Sequence, residues 1–439
     1  MNAMSRRGAC PTLSAPMQTG DGLLARLNPV AGGLSPNALI GLCESALRHG
    51  NGIVEATARG SLQIRGLTPA SANRFASEVD ELGIAVRSGV PVETGPLAGL
   101  DPSEIADPRP LADAVRTAIV SASLAERLGP KVSVVVDGGG HVSLDAIIAD
   151  VRLKAQKRDG ETVWHLTTGG NSATAEPHGT LSEADACKAA IAILQAIAAL
   201  GKEARARDLR ANASPSPLRG GSAGEAGRGG GPIGTIPLAN GTRALGISLP
   251  FGSMPASVLI NLAQAALAAG TAEIRPAPGR SLLFLGPSED ACHQLQDTAA
   301  ALGFITNTID PRLHIAACPG TPACASGKIE TRAIAERIAA TQAGFLDGSF
   351  TLHISGCEKG CAHPGAAALT VVGYEGGAGL VVNASAKALS PDSASCNDAA
   401  RGLAAIAKLV QISRQPNEDT AACLARLGAA TIQTAYRQD

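Results

Sequence analysis

The sequence predicts a duplicated α+β protein, because its two halves align with each other without a gap and cysteines cluster only in the second half. The segment that starts at Ser35 matches the segment that starts at Pro255 at a constant offset of 220 positions, with Gly50 opposite Gly270. A register held over about 50 residues marks an internal repeat, and such a repeat decides the architecture before any local assignment. We therefore interpret the halves as two copies of one unit.

The residue pattern in each copy predicts the same order of strands and helices. Alternating apolar residues indicate short strands, and apolar residues at helical spacing indicate amphipathic helices. In the first copy these elements are a strand at 22–27, an amphipathic helix, strands at 52–56 and 61–65, a helix at 69–82 and a strand at 83–87; the second copy starts with a strand at 243–249. The order βαββαβ is that of the ferredoxin-like unit.

An α+β region follows each of these units. A strand-like run that ends at a Gly turn occurs as Lys131–Gly139 and again as Ser349–Cys357. Between the halves, Glu203–Gly234 is rich in Gly, Ser, Pro, Ala and Arg and lacks apolar periodicity, which is typical of a flexible linker. The predicted segments are an N-terminal segment 1–20, a half-domain 21–90, an α+β domain 91–202, a linker 203–235, a half-domain 236–308 and a second α+β domain 309–439.

Composition excludes several classes of protein. A hydrophobic content of 45% supports a sizeable core, and no apolar run of about 18 residues predicts a membrane span. A net charge of −1 and an aromatic content of 2% disfavour nucleic-acid binding. No apolar segment follows the basic start of the chain, so we predict a cytoplasmic protein without a secretory signal. Cysteines in a reducing compartment favour metal binding over disulfides.

Four of the ten cysteines are clustered, as Cys318-x5-Cys324 and Cys357-x3-Cys361, and both pairs lie in Gly- and Pro-rich turns. Four thiolates match a [4Fe-4S] cluster, which needs one per iron. Structural zinc sites usually have two to four residues between paired cysteines, so the first spacing fits zinc poorly. Buried, inert thiols remain the alternative. The other cysteines are isolated and predict core packing, except Cys10, which opens a turn.

These cysteine motifs, with SGCEKGC around the second pair, resemble those of the sirohaem sulfite and nitrite reductase family. Thr57–Gln63 (TARGSLQ) and Leu128–Lys131 (LGPK) resemble the family as well. Within it, RRGACP at Arg6, ACPGTPACASG and HISGCEKGCAHPG resemble the precorrin-3B synthase branch. The resemblance covers both halves but not the linker. It implies a duplicated sulfite/nitrite-reductase-like architecture with one [4Fe-4S] site in the second half.

The resemblance also implies catalytic positions at Arg59 and Lys131. Ser133 stands where the reductases have a second Lys, and the segment before Gly95 lacks their second Arg. The set of cations that a sulfite or nitrite reductase needs is therefore incomplete. In the resembling branch a tetrapyrrole, precorrin-3A, is the substrate, and O2 hydroxylates its C20 carbon with γ-lactone formation. A mononuclear non-haem iron is associated with that branch, and Cys361 would ligate the cluster only.

A polyacid tetrapyrrole needs cationic partners, because guanidinium–carboxylate pairs fix orientation as well as charge. Each candidate also has the alternative of being a solvated surface charge. Substrate-binding candidates are Arg65, Arg152, Arg275, Arg280, Arg312 and Lys359. For the iron, His314, His353 and His363 flank the cysteine turns, although packing is the commoner use of any one histidine.

The sequence is compatible with three functions. The first is precorrin-3A monooxygenation with an external electron donor, since no dinucleotide-binding motif is present. The second is a sirohaem-dependent, haem-binding sulfite or nitrite reductase. The third is an iron–sulfur electron carrier or redox sensor.

Overall fold

The computed structural model describes residues 11–30, 32–209 and 231–437. The chain forms two compact units. Unit 1 comprises residues up to 17 together with 24–306, and unit 2 comprises 18–23 together with 307 onward. Within the described ranges, no helix has the length and apolar character needed to cross a membrane. The predicted Cys10 turn and most of the predicted linker lie outside the described residues.

The first sheet forms where strand-like alternation was predicted. Its first elements are β1 (Met17–Thr19), β2 (Gly22–Leu27), α1 (Pro36–His49), β3 (Ile53–Ala56), β4 (Leu62–Leu67) and α2 (Pro69–Glu81). The β1–β2 hairpin is where the division into units falls. Ser35 caps α1 by accepting a hydrogen bond from the Ala38 amide, and Thr68 and Ser71 form a reciprocal capping box on α2.

A second sheet of unit 1 is partly parallel. Its region contains β5 (Val92–Glu93), α3 (Arg109–Ser121), β6 (Val134–Asp137), β7 (Ala149–Arg158), β8 (Glu161–Gly170), β9 (Glu176–Leu181), α4 (Glu183–Leu200) and α5 (Ala206–Leu209). The strand order is β5-β6-β7-β8-β9; β5, β6 and β7 are parallel, and the later pairs are antiparallel. Helices α3 and α4 pack on one face around buried Trp164 and Leu194.

The second half-domain, also in unit 1, repeats the first. It contains β10 (Gly234–Pro237), β11 (Arg243–Ser248), β12 (Ser253–Pro255), α6 (Ala256–Ala268), β13 (Glu273–Ala277), β14 (Ser281–Leu285) and α7 (Glu289–Ala301). The order β10-β11-β14-β13 corresponds to β1-β2-β4-β3 of the first sheet. The extra strand β12 leaves its own half and pairs with β3, with Met254 opposite Val54. Helices α1 and α6, which are repeat equivalents, pack against each other.

Unit 2 has the same strand arrangement as the β5–β9 region. It contains β15 (Ile315–Ala317), α8 (Thr331–Thr341), β16 (Leu352–Ser355), β17 (Ala367–Tyr374), β18 (Gly377–Ala384), β19 (Ala394–Cys396), α9 (Ala399–Ser413) and α10 (Thr420–Arg437). The order is β15-β16-β17-β18-β19, again parallel over the first three strands and antiparallel afterwards. The predicted α+β class, with its ferredoxin-like units, is therefore confirmed.

Two local predictions need correction. The strand predicted at 83–87 is a single bridge between Pro29 and Val86, and its repeat equivalent is one bridge between Ser248 and Ile305. The start of the predicted linker is also ordered, because Arg205 pairs with the buried Asp150 at 2.8 Å and α5 packs on the second sheet. Within the predicted linker, residues 210–230 lie outside the described part of the chain.

Candidate functional site

The two cysteine pairs follow neighbouring parallel strands of unit 2. Cys318 comes directly after β15, and Cys357 comes two residues after β16. These strands pair with Ala317 opposite Ile354, so their carboxyl ends meet at one edge of the sheet. Residues distant in sequence are thereby placed together by the parallel pairing. The edge carries both turns that the cysteine spacing singled out.

Hydrogen bonds tie the two turns together. The Gly356 amide donates to Cys318 Sγ at 3.1 Å, and the Lys328 amide donates to the Gly356 carbonyl at 2.8 Å. Lys359 Nζ lies 2.6 Å from Ser326 Oγ, which links the second turn to the first. A Cβ at Gly356 would lie 3.1 Å from the Gly320 backbone, so a side chain there would require the neighbouring turn to shift by a few tenths of an ångström.

The four thiols lie within electrostatic reach of one another. Burial raises the pKa of Cys361, and the neighbouring Cys318, Cys357 and Cys324 raise it further. Among the described residues, no three His, Cys, Asp or Glu side chains converge closely enough to hold a single metal ion. A cubane cluster binds each thiolate through a different iron, so its ligands need not meet at one point. The donor set and the Gly-rich turns fit such a group.

Unit 1 contains a cavity of about 270 Å³, close to the lower end of the ~300–1,000 Å³ typical of small-molecule sites. Its walls come from both half-domains and from the region around β5 and α3. Two carboxylates, Glu93 and Asp113, also face it. The arginines that line it are Arg59, Arg87, Arg109, Arg116 and Arg275. Five guanidinium groups on one small cavity make it suited to a polyanion.

Two of these arginines were singled out from the sequence. Arg59 lies in the β3–β4 turn, where it bridges to Pro278 through the backbone, and its guanidinium donates to the Ile148 carbonyl. Arg275 lies on β13; it donates to the Pro96 carbonyl at 2.7 Å and pairs with Glu273. The structure thus brings together one arginine from each half of the repeat, although the two are far apart in the sequence.

The sequence analysis did not predict the other three arginines that line the cavity, Arg87, Arg109 and Arg116. Arg116 lies on α3, donates to the Val92 carbonyl at 2.7 Å and pairs with Asp113. Burial lowers the pKa of Arg87, Glu93 opposes that shift, and the charge of Arg116 reinforces it. Arg109 and Arg116 are seven residues apart and therefore lie on one face of the helix. That spacing was visible in the sequence, but it also fits an ordinary solvated helix face.

Arg65 and Arg152 are buried rather than exposed to the cavity. Arg65 forms an ion pair with Glu55 at 3.4 Å inside the first sheet. Arg152 donates to the carbonyls of Leu144, at 3.1 Å, and Ile147. Leu144 and Ile147 line the cavity. The buried Arg152 therefore stabilises the cavity wall through its hydrogen bonds to their carbonyls.

The remaining predicted cations lie elsewhere. Lys131 is exposed in the turn before β6, and Arg280 lies in the β13–β14 turn against Gly252; neither lines the cavity. In unit 2, Arg312 pairs with Asp310 at 2.7 Å. Lys359 joins the cysteine turns, as described above. Of the predicted substrate-binding residues in unit 1, only Arg275 therefore lines the cavity.

Comparisons with known proteins identify the class. The family described as nitrite/sulfite reductase ferredoxin-like half domain matches residues 15–82. The structure of Mycobacterium tuberculosis NirA protein superposes with a TM-score of 0.69 over 94% of this chain and 85% of that one, at 18% identity, which shows a shared fold. A ferredoxin–nitrite reductase of Synechococcus elongatus is 28% identical over 34% of this chain and 31% of its own length. These matches place the chain among proteins with the nitrite and sulfite reductase fold.

A narrower assignment comes from a precorrin-3B synthase of a Sinorhizobium species. It is 42% identical over 99% of this chain and 96% of its own length. The chain therefore belongs to the precorrin-3B synthase family. Membership makes it an oxidoreductase related to the nitrite and sulfite reductases, which match over only about a third of its length.

Proposed function

We propose that this chain converts precorrin-3A to precorrin-3B by O2-dependent hydroxylation of C20, with closure of a γ-lactone between the ring-A acetate and C1. One oxygen atom of O2 enters the product, and an external donor supplies the electrons that reduce the other to water. The observation that carries the proposal is the arginine-lined cavity of unit 1. The near full-length relative named precorrin-3B synthase supports it.

The cavity, at about 270 Å³, has room for a carboxylate-bearing edge of the substrate rather than for the whole macrocycle. Guanidinium groups bind carboxylates through two parallel hydrogen bonds, which fix orientation as well as charge. The net charge of the chain is only −1, so attraction of an anionic substrate has to be local. Arg59 and Arg275 are anchored to the carbonyls of Ile148 and Pro96, so substrate carboxylates would meet guanidinium groups that are already oriented.

Lactone closure requires one acetate to be held against the ring carbon that it attacks. Holding two reacting groups in the right geometry removes much of the entropic cost of bond formation. An arginine that grips a neighbouring carboxylate would hold the macrocycle in register while leaving the ring-A acetate free to react. Arg116, held by Val92 and Asp113, is positioned to do so.

Cys318, Cys324, Cys357 and Cys361 would hold a [4Fe-4S] cluster, which supplies single-electron transfer when bound. The chain itself contributes the Gly356 amide, which donates to Cys318 Sγ; such hydrogen bonds tune the reduction potential of iron–sulfur sites. Lys359 would keep the two turns in register around the cluster.

A sirohaem-dependent sulfite or nitrite reductase is the second candidate, and the cation set disfavours it. Reduction of a small oxyanion needs positive groups on the oxyanion and a supply of protons. At Ser133 the side chain is buried and uncharged, and the backbone amide donates to Asp150. A simple electron carrier or redox sensor would have no use for the arginine-lined cavity.

Visible spectra and turnover of the purified protein test the proposal. We expect a broad iron–sulfur absorption without sirohaem bands, and formation of precorrin-3B from precorrin-3A only when O2 and an electron donor are present. Strong sirohaem bands together with sulfite or nitrite reduction would replace the proposal with the reductase. A cluster spectrum with no turnover of precorrin-3A would favour the electron carrier.

A further inference from the structure

The turn between β1 and β2 lies against the first cysteine turn. Residues 18–23, which include this turn, belong to unit 2 together with the four clustered cysteines. A Cβ added at Gly20 would lie 1.8 Å from the Ala325 amide nitrogen and 2.7 Å from Cys324 Cα. No side chain can approach a backbone so closely. The β1–β2 turn therefore touches the peptide bond that follows Cys324, and position 20 accepts only glycine in this arrangement.

The neighbour, and not the backbone conformation, requires this glycine. Gly20 does not have a positive φ, whereas Gly22 in the same hairpin does, at 122°. The contact also lies at the surface of unit 2, because Gly20 and Ala325 are exposed and Cys324 is half-buried. Exposed turn residues normally tolerate substitution. A glycine that is excluded from substitution at an exposed tip therefore indicates that the turn acts on the segment beneath it.

Hydrogen bonds hold both sides of this contact. Thr19 Oγ1 lies 2.7 Å from the Gly22 carbonyl oxygen and 2.8 Å from Asp21 Oδ1, so the β1–β2 turn is fixed by its own side chains. On the other side, the Gly327 amide donates to the Cys324 carbonyl at 2.8 Å. Cys324 is thus held between its own turn and the β1–β2 turn.

The duplicated fold makes a corresponding contact in unit 1. The β10–β11 hairpin is the repeat equivalent of β1–β2, and the Ala239 amide in its turn donates to the Leu100 carbonyl at 2.8 Å. Leu238 of the same turn packs in one buried cluster with Leu97. The segment 97–100 follows β5 as the first cysteine turn follows β15. In both units a hairpin therefore contacts the segment after the first parallel strand, and in unit 2 that segment carries thiols.

We propose that the β1–β2 turn positions Cys324, and that Gly20 is the positioning residue. By pressing on the peptide after Cys324, the turn fixes how the thiolate and the neighbouring amides face an inserted cluster. The inference rests on the [4Fe-4S] assignment made under the proposed function. The groups around a cluster tune its reduction potential, and residues that orient metal ligands affect how firmly the metal is held. The turn would thus set the potential and the retention of the cluster.

Redox titration and iron release of the purified holoprotein test this role. Gly20→Ala adds a methyl group against the Cys324 backbone, and Thr19→Val loosens the β1–β2 turn without adding bulk. The matched control is Gly344→Ala, because Gly344 is another exposed turn glycine of unit 2 and its Cβ would meet no atom of the described residues within 4 Å.

We expect Gly20→Ala to release iron to a chelator about tenfold faster than wild type, the effect of moderate overpacking. The midpoint potential and the EPR signal of the reduced cluster should shift as well. Thr19→Val should change all three in the same direction by less, and the control should match wild type. If Gly20→Ala fails to assemble the cluster, Thr19→Val decides the outcome.

No change in either site variant would overturn the proposal. A lower urea midpoint with the potential and EPR signal of wild type would also overturn it, because the turn would then only stabilise unit 2. Turnover of precorrin-3A by the same samples separates this inference from the proposed function. A potential that shifts in Gly20→Ala, without turnover in wild type, would refute the proposed function and leave the role of Gly20 standing; turnover with unchanged potentials would do the reverse.

Discussion

Two edges of the molecule have the same topology and different chemistry. Both lie at the carboxyl ends of parallel strands, β5 and β6 in unit 1 and β15 and β16 in unit 2. In unit 2 the turns after the strands present thiols to one another. In unit 1 the buried carboxylate of Asp101 closes the edge by accepting hydrogen bonds from the amide and hydroxyl of Ser103 and from the amide and ring of His141, at 2.5–2.9 Å.

The two edges show how one duplicated fold can support substrate binding in one copy and hold a redox group in the other. At the unit 1 edge the side chains of Asp101, Ser103 and His141 satisfy one another by hydrogen bonds. The edge therefore needs no inserted group and can support the cavity wall at Gly95 and Pro96. At the unit 2 edge the thiols converge without closing on one another, which suits an inserted group. Variants at the first edge should therefore alter stability and substrate affinity, and variants at the second should alter redox chemistry.

The largest effect is expected at the cysteine edge. Each of the changes Cys318→Ser, Cys324→Ser, Cys357→Ser and Cys361→Ser should abolish the cluster and activity together, because one iron then lacks its thiolate. Iron and labile sulfide content measure the result. Cys187→Ser, at an isolated position on α4, is the control and should keep both. Retention of iron and sulfide in all four variants would remove the cluster from these turns.

The unit 1 edge should respond through stability. Burial alone would raise the pKa of Asp101, but the hydrogen bonds from Ser103 and His141 outweigh it and hold the pKa below its usual range. Asp101→Ala removes the acceptor of these bonds and should lower the free energy of unfolding by about 3 kcal/mol, with cluster content unchanged. Urea unfolding measures the loss, and the exposed Asp80→Ala should stay within about 0.5 kcal/mol of wild type. Equal effects of the two changes would show that Asp101 does not hold this edge.

Local patterns in the sequence predicted most of the fold. The first strand was placed at 22–27, where β2 lies, because its residues are apolar and turns flank it. The last strand of the first half failed because its pairing is limited to one bridge between Pro29 and Val86, which only two backbone hydrogen bonds hold. Position 205 was assigned to the linker, but its partner is Asp150, 55 positions away, and local composition carries no information about such a contact.

The arginine-lined cavity could be predicted only in part, because local sequence carries no information about contacts between residues that are distant in the chain. Arg59 was found because it lies in a recognisable motif, and Arg275 was named among the candidate cationic partners of substrate carboxylates. Arg116 reaches the cavity only because α3 packs beside β5, a tertiary fact. Arg65 is paired within the sheet. An arginine on an apolar strand looks the same in sequence whether it binds a ligand or a buried carboxylate.

A smaller effect is expected at the cavity. Arg59→Gln should raise KM for the tetrapyrrole about tenfold, equivalent to about 1.4 kcal/mol, with cluster content retained, because one guanidinium contact is lost. Arg59→Lys should restore little, since an ammonium group cannot form the paired bond. Lys131→Ala sharpens the test, because the resemblance to the family motif predicts a catalytic role for Lys131, although its side chain is exposed and does not line the cavity. On that prediction the variant should be defective in substrate turnover and keep its cluster. Steady-state kinetics that are unchanged in Lys131→Ala would remove that residue from the site, and unchanged kinetics in Arg59→Gln would remove the cavity.

The smallest effect concerns Glu104, which lies beside the Asp101 edge. Burial raises the pKa of Glu104 to about 7, while the Gly99 amide, which donates to Oε2 at 2.7 Å, works against that shift. A carboxyl with a raised pKa in the folded state binds its proton more tightly there than in the unfolded chain. Its contribution to stability is therefore fully present below about pH 4 and is lost as the pH rises towards 7. Glu104→Gln keeps an acceptor for the Gly99 amide and carries no charge, so the variant should gain stability over wild type as the pH rises through this window. Urea midpoints recorded from pH 4 to pH 8 measure this trend, and parallel curves for wild type and Glu104→Gln would contradict the raised pKa.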